Sequence, residues 1–371
     1  MTIPLLDLVA QYASIRDEVE PALRSVIERQ AFIMGPEIAE LEGQVATLCH
    51  ARHAIACASG TDALLLPLHC LGLEPGDEVI TPSFTFFATA GAVHNAGGTP
   101  VFVDIDPVTF NVDPAAIEAA ITPRTRAIVV VHLFGQMAPM EKILPIAQRH
   151  GLAVVEDGAQ SIGARRMVDG DWRVAGELGT VGTLSFFPSK NLGGWGDGGM
   201  MLTQDDALAQ RLSRLRIHGG ARQYHHDEVG FNSRLDSLQA AVLLVKLRHL
   251  LTWNEARRAR AAWYGEAMAG IAAVCPPRTD PANEHIFHQY TIRAERRDGL
   301  LAHLKAQGIG CAVYYPTPLH LQPCFAPLGY RLGSLPVTEA AMTSVLSLPI
   351  YPELTEAQQG RVVDAIRGFF A

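Results

Sequence analysis

From residue 53 to residue 202 the chain repeats one pattern: a short apolar run, a turn, then a stretch with helical spacing. The apolar runs fall at 53–58, 77–81, 100–104, 127–132, 152–156, 183–187 and 199–202, with helical stretches at 63–70, 84–93 and 139–150. Short runs of continuous apolar character suit strands buried on both faces. Strands of that kind, alternating with helices, build a mostly parallel sheet with helices packed over each side. The expected class is therefore α/β, with a mostly parallel seven-stranded sheet.

The pattern changes further on. A long helix is expected from Arg234, with Leu235, Leu238, Ala241, Val242, Val245 and Leu250 on its apolar face, running through Trp253 towards Met268. Past Cys275-Pro276-Pro277, strands are expected at 289–293, 313–315 and 345–348, and helices at 297–306, around 340–342 and at 355–369, giving a smaller α+β domain. At 371 residues the chain exceeds the roughly 250–300 at which one core tends to split. The division read from these patterns is an N-terminal arm at 1–35, a large domain at 36–245 and a small C-terminal domain at 246–371.

Composition excludes several functions. Net charge is −8 and no long basic block exists, so nucleic acid is not an expected partner. A mildly acidic protein can still hold an anion in a local pocket. No apolar run is long enough to span a membrane, and the opening MTIPLLDLVAQY lacks the basic-then-apolar layout of a signal peptide. A cytoplasmic protein with no membrane partner is expected. The six cysteines form no CxxC pair, so they read as reduced thiols and no zinc site is expected.

One lysine stands out. Lys190 sits in GTVGTLSFFPSKNLGGWGDGGM, residues 179–200, an otherwise uncharged run of apolar and small residues up to Asp197. An amine held among apolar groups loses affinity for its proton, and a neutral amine can attack a carbonyl to form a Schiff base. A surface lysine on a glycine-rich loop is the plainer alternative. Other groups bear on the choice. Ser59-Gly60-Thr61 lies where a strand turns into a helix, which suits a phosphate cradle and a plain helix cap equally well. Asp157 closes the fifth strand, where an acid faces the ligand crevice of an open sheet and can keep a pyridinium nitrogen protonated. Gln160 lies three residues on. The Phe84 ring can stack on a planar cofactor or fill the core, and Ser185 on the strand before Lys190 can reach the same phosphate. Together these make a set that fits pyridoxal 5'-phosphate (PLP). The dinucleotide alternative lacks a GxGxxG after the first strand, and no Walker A motif occurs.

Motifs along nearly the whole chain carry a resemblance. FIMGPEIAELE, ASGTDAL, GDEVITPSFTF, PVFVDIDPVTFNVD, ITPRTRAIVVVHLFGQ, VVEDGAQSIGA, SFFPSKNLGGWGDGGM and VGFNSRLDSLQAAVLLVKL occur in this order. In these the chain resembles the DegT/DnrJ/EryC1/StrS family of PLP-dependent nucleotide-sugar aminotransferases of fold type I. The resemblance implies that Lys190 bonds the cofactor aldehyde, Asp157 pairs with the pyridine nitrogen, Gln160 sits by the ring hydroxyl and Phe84 stacks on the ring. It implies that Gly60, Thr61 and Ser185 hold the phosphate. Asn232 is implied to reach the phosphate from a second subunit, making a homodimer with shared sites. Arg234 lies near that shared cleft, and the 219–227 loop with Tyr224 and His225 is implied to cross to the neighbour's substrate site.

Within the family, RQYHHDEVGFNSRLDSLQAA and YPTPLHLQ resemble members that aminate C3 of a 3-keto sugar on UDP or dTDP, with L-glutamate as donor, in amino sugar biosynthesis. A 4-keto sugar 4-aminotransferase and a non-catalytic PLP-binding regulator are the alternatives. Tyr314 is a departure, since relatives of this type often have His before the residue matching Tyr315, and both positions are implied substrate contacts. Family members that dehydrate sugars carry His in place of the lysine, and Lys190 argues against that reading.

Overall fold

The computed structural model describes residues 2–371 apart from Ala221 and Gln223. In chain order come α1 (Leu8–Arg29), α2 (Pro36–Leu48), β1 (His53–Cys57), α3 (Gly60–Cys70), β2 (Glu78–Pro82), α4 (Ala88–Asn95), β3 (Thr99–Val103), α5 (Pro114–Ala120) and β4 (Thr125–Val131). Then follow α6 (Met140–His150), β5 (Ala153–Asp157), the hairpin β6 (Arg165–Val168) and β7 (Asp171–Val174), β8 (Val181–Ser185), β9 (Gly199–Thr203), α7 (Asp206–Leu215) and α8 (Ser237–Ala267). Beyond α8 lie β10 (Val274–Cys275), β11 (Asn283–Glu284), β12 (Tyr290–Ala294), α9 (Arg297–Ala306), α10 (Pro336–Ser344), β13 (Val345–Leu348) and α11 (Glu356–Phe370).

Among the described residues, seven strands form the main sheet in the order β1-β9-β8-β5-β4-β2-β3. Only β9 runs against its neighbours; β8, β5, β4, β2 and β3 pair in parallel. The parallel strands therefore end on one edge, where ligands bind in open α/β sheets. Helices cover both faces. α2 packs Ile38, Leu41 and Val45 against Leu184, Phe186 and the α8 residues Leu243 and Leu244. On another core cluster α6 brings Met140, Ile143 and Ile146 against Ile128 and Val130.

α8 belongs to two cores. Its first half packs with α2, while Ala261 and Tyr264 enter a second cluster with Ile292, Leu300, Leu346, Val362 and Ile366. That second core belongs to a smaller α+β unit built on the sheet β10-β12-β13 with α9 and α11. The start of the chain joins it: Ile3 is buried there, its amide donates to Gly308 O at 2.9 Å and its carbonyl accepts from Gly310 at 2.7 Å. α1 then lies along α8, with Ile15 and Val19 against Val242, Val245 and Trp253. Among the described residues, no helix is long and apolar enough to cross a membrane.

Two expectations need correction. Helix α4 starts at Ala88, not Phe84. The chain stays extended past β2 because the Ser83 amide still bonds Val103 O at 3.1 Å, and Phe84 then turns into an apolar cluster with Ile105, Phe110, Val131 and Phe134. The segment 313–315 is not a strand. Only Ala312 pairs, as an isolated bridge to Ser347, and Pro316 and Pro318 have no amide to continue a ladder.

Candidate active site

A cavity of about 430 Å³ opens at the carboxyl edge of the sheet. Its wall includes Gly60 and Thr61 after β1, Asp157 at the end of β5 with Gln160 beyond it, Ser185 at the end of β8 with Lys190 beyond it, and Tyr314 and Tyr315 from the smaller unit. Four separate stretches of the chain thus meet in one space.

Ser59 caps α3 by accepting the Asp62 amide at 3.1 Å, which leaves the first amides of that helix facing the cavity. Gly60 is required by space: a Cβ there would lie 2.6 Å from Ser185 Cβ and 2.8 Å from its Oγ. Gly199 is tighter still, since a Cβ would meet Ser59 O at 2.2 Å. These two close approaches set the β8 end and the β9 start against the α3 start as a single cradle.

Asp157 is buried, yet both of its oxygens are held. Thr89 Oγ1 donates to Oδ2 at 2.8 Å and the Ala159 amide donates to Oδ1 at 3.2 Å. The preceding residue, Glu156, anchors the strand end from the other side of the sheet. It accepts from His132 Nε2 at 2.8 Å and from the amides of Gly176, Leu178 and Gly179. The Ala138 amide donates to His132 Nδ1 at 3.1 Å, so the imidazole proton is on Nε2 and points at Glu156. Burial alone would raise the Glu156 carboxyl, but His132 and these amides outweigh it and hold it below its ordinary range.

Lys190 is half-buried in the cavity wall. Loss of water pushes its amine down to about 8, against the opposing pull of the Asp157 charge. A substantial fraction is then neutral near pH 8. Gln160 is fixed at both ends of its amide: Oε1 accepts from the Phe134 amide at 2.7 Å and Nε2 donates to Tyr315 Oη at 2.9 Å.

Phe84 does not line the cavity. Its ring is 0% exposed, beneath the wall, and Phe86, two residues on and 59% exposed, takes the lining position. The expected stacking role of Phe84 is corrected accordingly: the apolar cluster that turns it inward also removes it from the cavity. Asn232, Arg234, Tyr224 and His225 also lie outside the lining. Asn232 is exposed and bridges Ile217, while Tyr224 is 90% exposed. In the 219–227 loop, positions 221 and 223 lie outside the described residues.

Thr85, Thr89, His132, His288 and Gln289 were not singled out from sequence. Thr89 reads as a core residue of an apolar helix, and no spacing marks it. The HIFHQY run at 285–290, polar residues crowded before a strand, was the one available signal for His288 and Gln289.

The cavity fits PLP. A glycine-lined helix start with Thr61 and Ser185 suits a phosphate, a buried carboxylate suits a protonated ring nitrogen, and a partly neutral amine suits an aldehyde. Among the described residues, no cluster of three or more His, Cys, Asp or Glu is placed to hold a metal ion.

The sheet, the smaller unit and this cavity define a PLP-dependent transferase of fold type I. A model of the DegT/DnrJ/EryC1/StrS aminotransferase family matches residues 13–367, and the chain belongs to that family. It is 52% identical, over 100% of this chain and 99% of the other, to a protein of Geobacillus stearothermophilus named pleiotropic regulatory protein. It is 47% identical to the UDP-N-acetyl-3-dehydro-alpha-D-glucosamine 3-aminotransferase of Acidithiobacillus ferrooxidans, over 98% and 97% of the two chains. The crystal structure of DesV from S. venezuelae, in complex with a ketimine intermediate, superposes with a TM-score of 0.96 at 44% identity, covering 100% of this chain and 98% of that one.

Proposed function

We propose that this aminotransferase moves an amino group from L-glutamate to C3 of a 3-keto hexose carried on UDP or dTDP. The observation that carries the reading is the meeting of Lys190, Asp157 and the α3 start in one cavity. The choice of C3 draws support from the Acidithiobacillus relative's name and from the 222–241 and 315–322 segments.

Bound in this cavity, PLP supplies an aldehyde that takes up an amino group and a ring that spreads the charge left when a C–H bond breaks. In this reading Lys190 would hold the aldehyde carbon at rest, and its amine, once free, would take a proton from the donor's α-carbon and return it. Asp157, fixed by Thr89 and Ala159, holds the ring nitrogen in its protonated form. Gln160 turns its amide, set by Phe134 and Tyr315, towards the ring hydroxyl. Gly60, Thr61 and Ser185 hold the phosphate. Tyr314 and Tyr315 line the side from which the sugar enters.

Two copies share each site in this proposal. Phe86 and Phe187 line the cavity yet remain 59% and 52% exposed, which suits a mouth covered by a second chain. Asn232 then serves the partner's phosphate, and Arg234 and the loop with Tyr224 and His225 serve its substrate.

Turnover of UDP- and dTDP-linked 3-keto and 4-keto sugars with glutamate tests the reading, with products read by NMR. A 3-amino product is expected; amination of only the 4-keto sugars rejects the C3 assignment. The Geobacillus relative's name favours one other reading, a PLP-binding regulator, for which no sugar in the panel is aminated.

A further inference from the structure

His288 and Gln289, just before β12, line the cavity and have no part in the roles above. His288 ends a row of buried hydrogen bonds that begins at a main-chain carbonyl. Ile162 O can only accept, so Asn254 presents Nδ2 to it, at 3.1 Å. Asn254 Oδ1 then faces Asn191 and accepts from its Nδ2 at 2.7 Å; the same nitrogen reaches Ile286 O at 3.4 Å. Asn191 Oδ1 is left to face His288 Nδ1 at 3.2 Å, and an amide oxygen only accepts. The His288 proton is therefore on Nδ1, and Nε2 is an open lone pair with only a long 3.5 Å contact to Gln289 Nε2.

Asn191, Asn254 and His288 are each more than nine-tenths buried. So is Arg257, which donates to the carbonyls of Phe287 at 3.1 Å and Ile350 at 2.9 Å and pins the main chain around His288. Burying that many polar groups costs stability unless each is paired, and here the pairing runs one way only. Asn191 also follows Lys190 directly, so the row ties the cavity wall to the lysine's own backbone. Burial, then the charges of Lys190 and Arg257 and the nearby His285, keep His288 uncharged. Lys190 shares the cavity with the ionisable groups Asp157, Asp197, Tyr314 and Tyr315 as well.

We propose that His288 is a positioning residue for Lys190: its Nε2 accepts a hydrogen bond from the lysine amine as that amine swings away from the cofactor, with Asn191 and Asn254 fixing the required tautomer. This rests on Lys190 being the reacting amine. A released amine needs an acceptor inside the cavity. A charged imidazole would repel it, and the other tautomer would offer a second donor.

The test uses cofactor-free protein and reads the Lys190 amine by its acylation with acetic anhydride across pH, followed by peptide mass spectrometry. An accepted hydrogen bond favours the ammonium form, so His288→Phe should lower the midpoint by roughly one unit. His288→Gln keeps an acceptor in reach and should stay near the unchanged protein. Asn191→Ala frees the tautomer and should fall between them. Equal falls for Phe and Gln mean that burial sets the amine, and overturn the proposal; a rise or no change for His288→Phe does the same. If His288→Phe does not fold, an unchanged midpoint in Asn191→Ala overturns it. Cofactor fixed by borohydride to a residue other than Lys190 would reject the underlying reading instead, separately from the acylation series.

Discussion

In the proposed mechanism Lys190 is the residue on which the chemistry turns, and its environment has a measurable cost. Its amine falls to about 8 in the folded chain because it loses water there, against an ordinary value near 10.4. The sign follows from linkage. Between those two values the unfolded chain binds more protons than the folded one, so this group's contribution to stability rises with pH across that window. Below about 8 the folded chain must bury a charge, and the full penalty applies. Lys190→Met should therefore stabilise the cofactor-free protein at pH 7, with the gain shrinking as pH climbs towards 10.5. Thermal unfolding of both proteins from pH 7 to 10.5 checks this, and a constant gap over that range would contradict it. The lysine was legible because it stands alone in an apolar run. Thr89 was not: its bond to Asp157 spans 68 positions, and nothing local marks it.

At the scale of elements, the cradle depends on β8 and α3 touching. A methyl group on Gly60 would enter the space of Ser185, whose Cβ is 2.6 Å from the added atom. Overpacking of this kind costs about 1–3 kcal/mol, and in the proposed binding mode it also pushes the helix start off the phosphate. Gly60→Ala should weaken PLP binding at least tenfold in a fluorescence titration while the far-ultraviolet circular dichroism stays native-like. Binding as tight as in the unchanged protein would show that the contact relaxes without moving the site. The strands of the sheet were legible in the sequence to within a few positions, because each is a continuous apolar run. The β6–β7 hairpin was missed although its signal is present: Asp169-Gly170 takes positive φ at both positions, the tight hairpin turn that this dipeptide favours. Helices α5 and α7 were missed too. Each is announced by a capping aspartate, Asp113 and Asp205, but α5 is only two turns long and α7 falls just past the end of the strand–helix repeat. Phe84 misled because an aromatic after a strand reads the same whether its ring faces a ligand or the core; the neighbours that decide it, Phe110 and Phe134, lie far along the chain.

For the whole molecule, the single chain leaves Asn232 and Tyr224 on its surface and leaves the aromatic rim of the cavity open. The proposed homodimer accounts for all three. Ser233, next to Asn232, donates to Asp62 at 2.6 Å and so ties this segment to the first turn of α3. Mixed dimers test the arrangement: Lys190→Ala and Asn232→Ala subunits, each weak alone, should recover activity when combined, since one of the two sites regains both residues. An absence of recovery would place Asn232 with its own chain's cavity or with none.

The proposed chemistry depends on Lys190 bonding the cofactor. The direct measurement is borohydride reduction of the PLP-loaded protein, followed by digestion and mass spectrometry of the peptides. The result predicted is a single modified peptide with the reduced cofactor on Lys190, and no covalent cofactor in Lys190→Ala. Cofactor fixed to another lysine, or fixed equally well in that variant, would contradict it.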